Sequence, residues 1–212
     1  MSTPSDLRSR KRLATRQSIS NAATRLFLER GFDQVTVDEI AAAADVGRMT
    51  VFNHFPRKED MFFDRDEEAR ETVRDALRRR DPQVTPLETL RLLAHRVVAE
   101  QRPYVEFSAR SRDFVETIAR SEALKARARA IRDETARLVA AALSGCVGRP
   151  PDDPGAQLAA GLLLATWSVA FLQAHRSFAQ RRDTQEAQAT FLAFVDKGAL
   201  GLQAALAGTP YA

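Results

Sequence analysis

A chain of 212 residues is long enough to bury a sizeable core and suits one small module joined to a larger one. Charged residues make up 28% and aromatics 7%, with alanine, leucine and arginine recurring throughout, which predicts an all-α protein packed through small and aliphatic side chains. The single cysteine, Cys146, excludes an intrachain disulfide and a cysteine-based zinc cluster, and the net charge of +4 is too small to imply a nucleic-acid partner until its distribution is known.

That distribution is uneven. Arg8, Arg10, Lys11, Arg12 and Arg16 form a basic arm with no acidic residue among them, suited either to following a phosphate backbone or to solvation at a flexible terminus. From about Leu13 to Arg30 the positions Ile19, Ala22, Ala23, Leu26 and Phe27 keep helical spacing, and Gly31 offers a stop. A second helix is predicted after Thr36, whose hydroxyl caps free amides while Glu39 reaches back, with Ile40, Ala41 and Ala44 as its buried stripe. Asp45, Val46 and Gly47 then break the pattern. Arg48 to Phe55 resumes it with Val51 and Phe55 four residues apart, so two short helices joined by a tight turn make a helix-turn-helix, closed by Pro56.

A fourth helix is expected from Lys58 to about Arg80. Thr85, Pro86 and Glu88 then open a helix carrying Leu90, Leu93, Val97 and Val98, ending or kinking at Pro103. Further helices are expected over residues 103–120, 122–143, 156–180 and 186–206, with a proline-rich loop over 148–155. The result is about nine helices: a three-helix head over residues 1–57 that binds DNA, and a larger regulatory and dimerisation bundle over 58–212. The apolar run Leu158–Ala174, interrupted by Thr166, Ser168 and Gln173, is short for a membrane span and reads as a buried helix. No apolar leader segment opens the sequence, so no membrane partner is expected and the cytoplasm is the expected location, with the nucleoid when DNA is bound.

With Val51 and Phe55 turned toward the core, Arg48, Met49, Phe52 and Asn53 fall on the opposite or flanking surface of the third helix. An α-helix fits the major groove, where arginine pairs with guanine and asparagine with adenine, while Met49 and Phe52 suit thymine methyls or deoxyribose. His54, His95 and His175 form no short metal-ligand motif, and no nucleophile, base and orienter group together, so no metal, cofactor or catalytic residue is expected.

The segment TVDEIAAAADVGRMTVFNHFPRKEDMF at 36–62, preceded by ISNAATRLFLERGFDQ at 19–34, resembles the signature of the TetR family of transcriptional regulators. The specific part of the resemblance covers about residues 15 to 63; beyond it the likeness is one of length and helical layout. It implies that Thr50 and His54 contact the DNA backbone or groove and that Lys58 clamps a phosphate. It also implies repression of a near-palindromic operator in double-stranded DNA, relieved by a small organic effector. A transcriptional activator and a ligand-independent architectural or interaction protein remain the alternatives. Two positions depart from the family: Gly47 stands where serine or threonine is frequent, removing a side-chain cap, and Phe52 stands where tyrosine is common, removing a hydroxyl.

Two further sets complete the expectation. The last two long helices form a homodimer interface through Leu158, Leu162, Phe191, Phe194, Val195, Leu202 and Leu206, with Gly198, Ala199 and Ala205 allowing close approach. Recognition helices in such a dimer address major grooves about 34–36 Å apart or a multiple of it. The effector pocket draws on Tyr104, Phe107, Arg110, Ser111 and Phe114 from the middle of the chain and on Trp167, Phe171 and His175 at four-residue steps.

Overall fold

The computed structural model describes residues 4–212, and among them every regular element is helical. Ten α-helices and one 3-10 turn follow in the order α1 (Pro4–Arg30), α2 (Val37–Ala43), α3 (Arg48–His54), α4 (Lys58–Phe62), α5 (Asp66–Arg78), α6 (Pro86–Ala99), the turn Pro103–Val105, α7 (Ala109–Arg120), α8 (Glu122–Cys146), α9 (Pro154–Arg181) and α10 (Thr184–Ala205).

The expected helix over 103–120 is a short 3-10 turn followed by α7 from Ala109, and two other departures from the predicted elements have clear physical causes. The first helix starts at Pro4 rather than near Leu13, because the basic segment is built of good helix formers and contains no breaker; the expected arm is therefore the opening turns of α1. The fourth predicted helix is two. Met61 and Phe62 are buried and Phe63 packs against the same core, while α5 starts afresh at Asp66 with acidic residues 66–68 in its first turn, where the helix dipole favours them. The chain breaks between these two demands.

The chain forms two compact units: residues up to Asp64 together with Asp113–Arg127, and Arg65–Arg112 together with Ala128–Ala212. The first unit thus takes in α4, the end of α7 and the start of α8, which lie beyond a boundary placed at residue 57. Its core gathers Ile19, Ala23 and Phe27 of α1, Ile40 and Ala41 of α2, Val51 and Phe55, Phe62, and Leu124. Phe62 stacks on Phe114 with ring centroids 4.3 Å apart and meets Phe27 at 6.0 Å. Polar ties join the same elements: Arg127 Nε donates to Asp60 at 2.8 Å and the Ser121 hydroxyl donates to Asp33 at 2.8 Å.

The second unit packs α6, α9 and α10 around Leu90, Leu93, Ala94, Phe107, Phe191 and Val195. Its helices start as their sequences dictate. Thr85 caps α6, with Pro86 in the first turn; Asp153 caps α9 through the amide of Ala156; Asp183 caps α10. Asp153 also accepts a hydrogen bond from the buried Tyr211 at 2.8 Å, and those hydrogen bonds hold its carboxyl below the usual range. The contact between α9 and α10 is close because Gly198 has no side chain: a Cβ there would stand 2.1 Å from Thr166 Cγ2. By length and composition α9 could cross a membrane, yet Ala156, Ala159, Ala160, Leu163, Ala170, Ala174 and Phe178 are in the core. One face of this helix thus lies in the core, while Leu158, Leu162, Val169 and Leu172 on its other side are exposed in the single chain.

Candidate nucleic-acid interface

The helix-turn-helix is assembled by backbone geometry at three points. Thr36 accepts a hydrogen bond from the Glu39 amide at 3.2 Å while the Glu39 carboxylate accepts from the Thr36 amide at 2.8 Å, closing the expected capping box. Those bonds, with Arg30 at 2.7 Å, hold the Glu39 carboxyl down at about 2. The C-terminus of α2 then turns through Asp45 at φ 53, with Val46 N donating to Ala41 O at 3.0 Å and Asp45 N to Ala42 O at 3.2 Å, a Schellman closure made without glycine. Gly47 follows as the N-cap of α3 and gives it no side-chain hydrogen bond, as its sequence predicts.

Of the seven residues assigned to DNA, α3 presents six. Val51 and Phe55 are fully buried, while Arg48, Asn53 and the 70%-exposed Met49 face solvent and Thr50, Phe52 and His54 lie at the half-buried margins. Arg48 is not a free guanidinium: it pairs with Asp38 at 2.8 Å, both side chains exposed, and its Cζ lies 5.5 Å from the Phe52 ring centroid. Asp38 therefore stands beside the candidate reading face, not turned away from it.

The remaining assignments acquire structural roles. Lys58 donates from Nζ to the carbonyls of Phe32 and Val35, both at 2.8 Å, and sits 4.2 Å from the Phe32 ring centroid. These partners explain a lysine at a helix N-terminus without a phosphate, and burial lowers its pKa. One of its three N–H donors has no part in these two bonds. Arg16 is likewise a tie within the head: Nη1 donates to His54 O at 2.7 Å and Cζ lies 4.0 Å over the Phe55 ring. Sequence reasoning placed it with the basic run and missed this, since nothing local separates Arg16 from Arg12. Burial, then the charges of Arg12 and Arg16, push the His54 pKa down, so the ring is neutral at pH 7. Arg8, Arg10, Lys11 and Arg12 are exposed on the first turns of α1.

The residues assigned to an effector divide. Phe107 is buried, with ring centroids 6.2 Å from Phe171, 5.1 Å from His175 and 5.8 Å from Phe191, and Trp167 meets Phe191 at 6.3 Å. Burial pushes the His175 pKa down; its Nδ1 and Trp167 Nε1 are buried without hydrogen-bond partners. Tyr104 packs on the same core and donates to Thr72 at 3.1 Å. Phe114 does not join them, because it stacks on Phe62 in the other unit's core. Ser111 is spent locally: it exchanges hydrogen bonds with Ser108 at the start of α7, and Arg110 beside it is exposed.

The interface set divides as well. Leu158, Leu162 and Phe194 are exposed, but Phe191, Val195, Leu202 and Leu206 are buried within the chain, having turned to α9 and α6 instead. Gly198 serves that intrachain crossing. Sequence reasoning also missed a charged cluster: Arg91 on α6 holds Glu88 through Nε at 2.8 Å and Nη2 at 2.7 Å, and Asp196 of α10 through Nη1 at 2.8 Å, with His95 Nε2 2.8 Å from the same Asp196 oxygen. Burial favours protonated Asp196, but these hydrogen bonds and charges leave its pKa lowered. The spacing of Glu88, Arg91 and His95 at helical steps was the available signal.

Residues 19–64 match the model of bacterial regulatory proteins of the tetR family. Over 62 residues the chain is 42% identical to the HTH-type transcriptional regulator TcmR of Streptomyces glaucescens, a match covering 28% of this chain and 27% of TcmR. It therefore spans about a quarter of that relative. Similarity of fold extends much further. SmeT in complex with triclosan covers 89% of this chain and 91% of its own at 22% identity, TM-score 0.57; SmeT is the repressor of the multidrug efflux pump SmeDEF of Stenotrophomonas maltophilia. Thermus thermophilus FadR, a transcriptional repressor in complex with lauroyl-CoA, covers 86% of this chain and 94% of its own at 29% identity, TM-score 0.51.

Proposed function

We propose that the chain, whose residues 19–64 match the model of bacterial regulatory proteins of the tetR family, is a ligand-responsive repressor of that family that leaves a near-palindromic operator when a small organic effector binds. The observation that carries this is the exposed face of α3: Arg48, Met49 and Asn53 stand clear of a core that fixes Val51 and Phe55, on a helix introduced by a capped α2 and a closed turn. Such a face suits the major groove, with Arg48 toward guanine and Asn53 toward adenine. Thr50, Phe52 and His54 at its margins, the spare donor of Lys58 and the exposed cations of α1 suit phosphates.

Repression and release are favoured by the relatives: SmeT and FadR are repressors, and their solved complexes hold triclosan and lauroyl-CoA. Dimerisation is favoured by the exposed apolar face of α9, through Leu158, Leu162, Val169 and Leu172, beside Phe194 on α10. A row of this kind is costly in water and is covered readily by its own copy across a two-fold axis. No step of this proposal requires a metal or a cofactor, and the protein acts where its DNA is.

Selection of genomic fragments by the full-length protein tests the proposal. Enrichment of one near-palindromic sequence, with transcripts beside it rising when the gene is deleted, is the expected result. Uniform binding to all fragments would sink sequence-specific recognition, and falling transcripts would turn the repressor into an activator.

A further inference from the structure

We infer that Asp38 is a specificity-determining residue of the DNA-reading face: once Arg48 leaves it for guanine, its carboxylate accepts a hydrogen bond from the N4 amino group of a cytosine on the adjoining base pair. This rests on the chain being a sequence-specific DNA-binding regulator. Asp38 belongs to the first turn of α2 and Arg48 opens α3. Their side chains meet at the surface, where Arg48 Nη1 donates to Asp38 Oδ2 at 2.8 Å with Arg48 59% and Asp38 63% exposed, so the pair is open to exchange. The neighbouring acid is differently placed. Glu39 is turned back along α2, its carboxylate accepting from the Thr36 amide at 2.8 Å and pairing with Arg30 at 2.7 Å. Either acid suits the dipole of α2, so helix stability alone asks for no carboxylate against Arg48.

The chemistry of the groove decides what that carboxylate does. Phosphates repel it, and Arg48 neutralises it only while the pair lasts. When the fork of Arg48 takes the O6 and N7 acceptors of guanine, Asp38 Oδ2 loses its donor and the groove has to supply another. The donors on the major-groove edges are the N4 amino group of cytosine and the N6 amino group of adenine. Adenine carries its N7 acceptor beside N6, where it opposes the second carboxylate oxygen, whereas cytosine has no acceptor on that edge. Cytosine is therefore the base selected. An aspartate side chain is short and cannot follow Arg48 far, which leaves the carboxylate 2.8 Å from where Nη1 stood. That separation is within one step of the base stack, about 3.4 Å along a strand, so the adjoining pair is the one addressed.

The test selects a randomised duplex library with the full-length protein and its Asp38→Ala, Asp38→Asn and Arg48→Ala variants, followed by competition between duplexes that differ at one pair. The wild type is expected to enrich a half-site with guanine and cytosine on adjoining pairs. Arg48→Ala should lose the preference for that guanine and keep the cytosine. Asp38→Ala should keep the guanine and lose the preference for cytosine by at least about fivefold. Asp38→Asn should turn that preference to adenine, whose N6 and N7 together suit an amide. An Asp38→Ala protein that enriches the wild-type sequence, binding every duplex more tightly, would overturn the inference and leave the carboxylate a repelling charge. So would one that loses the guanine instead, since Asp38 would then act only by positioning Arg48. If Asp38→Ala fails to fold, Asp38→Asn decides, because it keeps the shape of the side chain; an unaltered cytosine preference in it overturns the inference. A wild type that enriches no sequence condemns the regulator itself and this inference with it, whereas enrichment left unchanged by the Asp38 variants condemns this contact alone.

Discussion

Arg48 is already engaged with Asp38, so the proposed contact with a base edge requires an exchange of partner that has measurable consequences. The pair is exposed on both sides, so breaking it costs little, although it leaves the Asp38 carboxylate uncovered beside the DNA. Arg48→Ala and Asn53→Ala should each relax base preference at one position by about 1–3 kcal/mol, read by competition between operator variants. Lys58→Met should do more than weaken DNA binding: with two carbonyls between α1 and α2 losing their donor, the midpoint of unfolding should fall too. An unchanged midpoint with a flatter salt dependence would return Lys58 to phosphate contact alone. Acid should test the capping box. Glu39 is depressed from 4.5 to about 2 in the folded head, so its contribution is present above pH 4.5 and lost as pH falls toward 2. Glu39→Gln should flatten helix content against pH across that window, followed by circular dichroism. The capping box was visible beforehand in the spacing of Thr36 and Glu39; the engagements of Arg48, Lys58 and Arg16 were not. Side-chain identity at the reading face follows from helical spacing, but the partners of Arg48, Lys58 and Arg16 come from residues 10, 23 to 26 and 38 positions away.

Elements were legible where a local signal names an end. Thr36 and Thr85 each accept a hydrogen bond at the start of a helix, and Pro86 sits in a first turn as its fixed φ allows, whereas Pro154, read with the loop over 148–155, opens α9, and Asp153 and Asp183 cap α9 and α10 at starts two residues ahead of those expected. The break between α4 and α5 had no such signal, since it arises from Phe62 and Phe63 being drawn into a distant core. For the same reason the apolar stripe of α10 could not be divided in advance: Phe191, Val195 and Leu202 face the chain's own α9, Phe194 faces outward, and periodicity alone does not say which neighbour is internal. Two substitutions separate these faces. Gly198→Ala drives a Cβ to 2.1 Å from Thr166 Cγ2, and because a β-branched side chain on a helix has few rotamers, a loss of about 1–3 kcal/mol is expected by urea unfolding. Adding Thr166→Ala should recover most of it. Val169→Glu, on the outer face of α9, should instead leave the fold intact and shift the mass in sedimentation toward a monomer; an unaltered dimer would move the interface elsewhere.

At the scale of the whole chain, the head and the bundle are two units with separate cores, and regulation requires that their binding equilibria be linked. The chain passes between the units within α7 and within α8, as well as between α4 and α5, where the sequence had predicted one continuous helix. Linkage makes a demand that needs no knowledge of the route. If an effector weakens operator affinity by some factor, operator must weaken effector affinity by the same factor, because both describe one coupling free energy. With any small molecule that releases the protein from its operator, operator affinity measured by anisotropy should fall as that molecule saturates, and its own affinity measured in the presence of saturating operator should show the reciprocal loss. A coupling of about 1–3 kcal/mol, the usual allosteric range, corresponds to a shift of roughly 5–150-fold in each measurement.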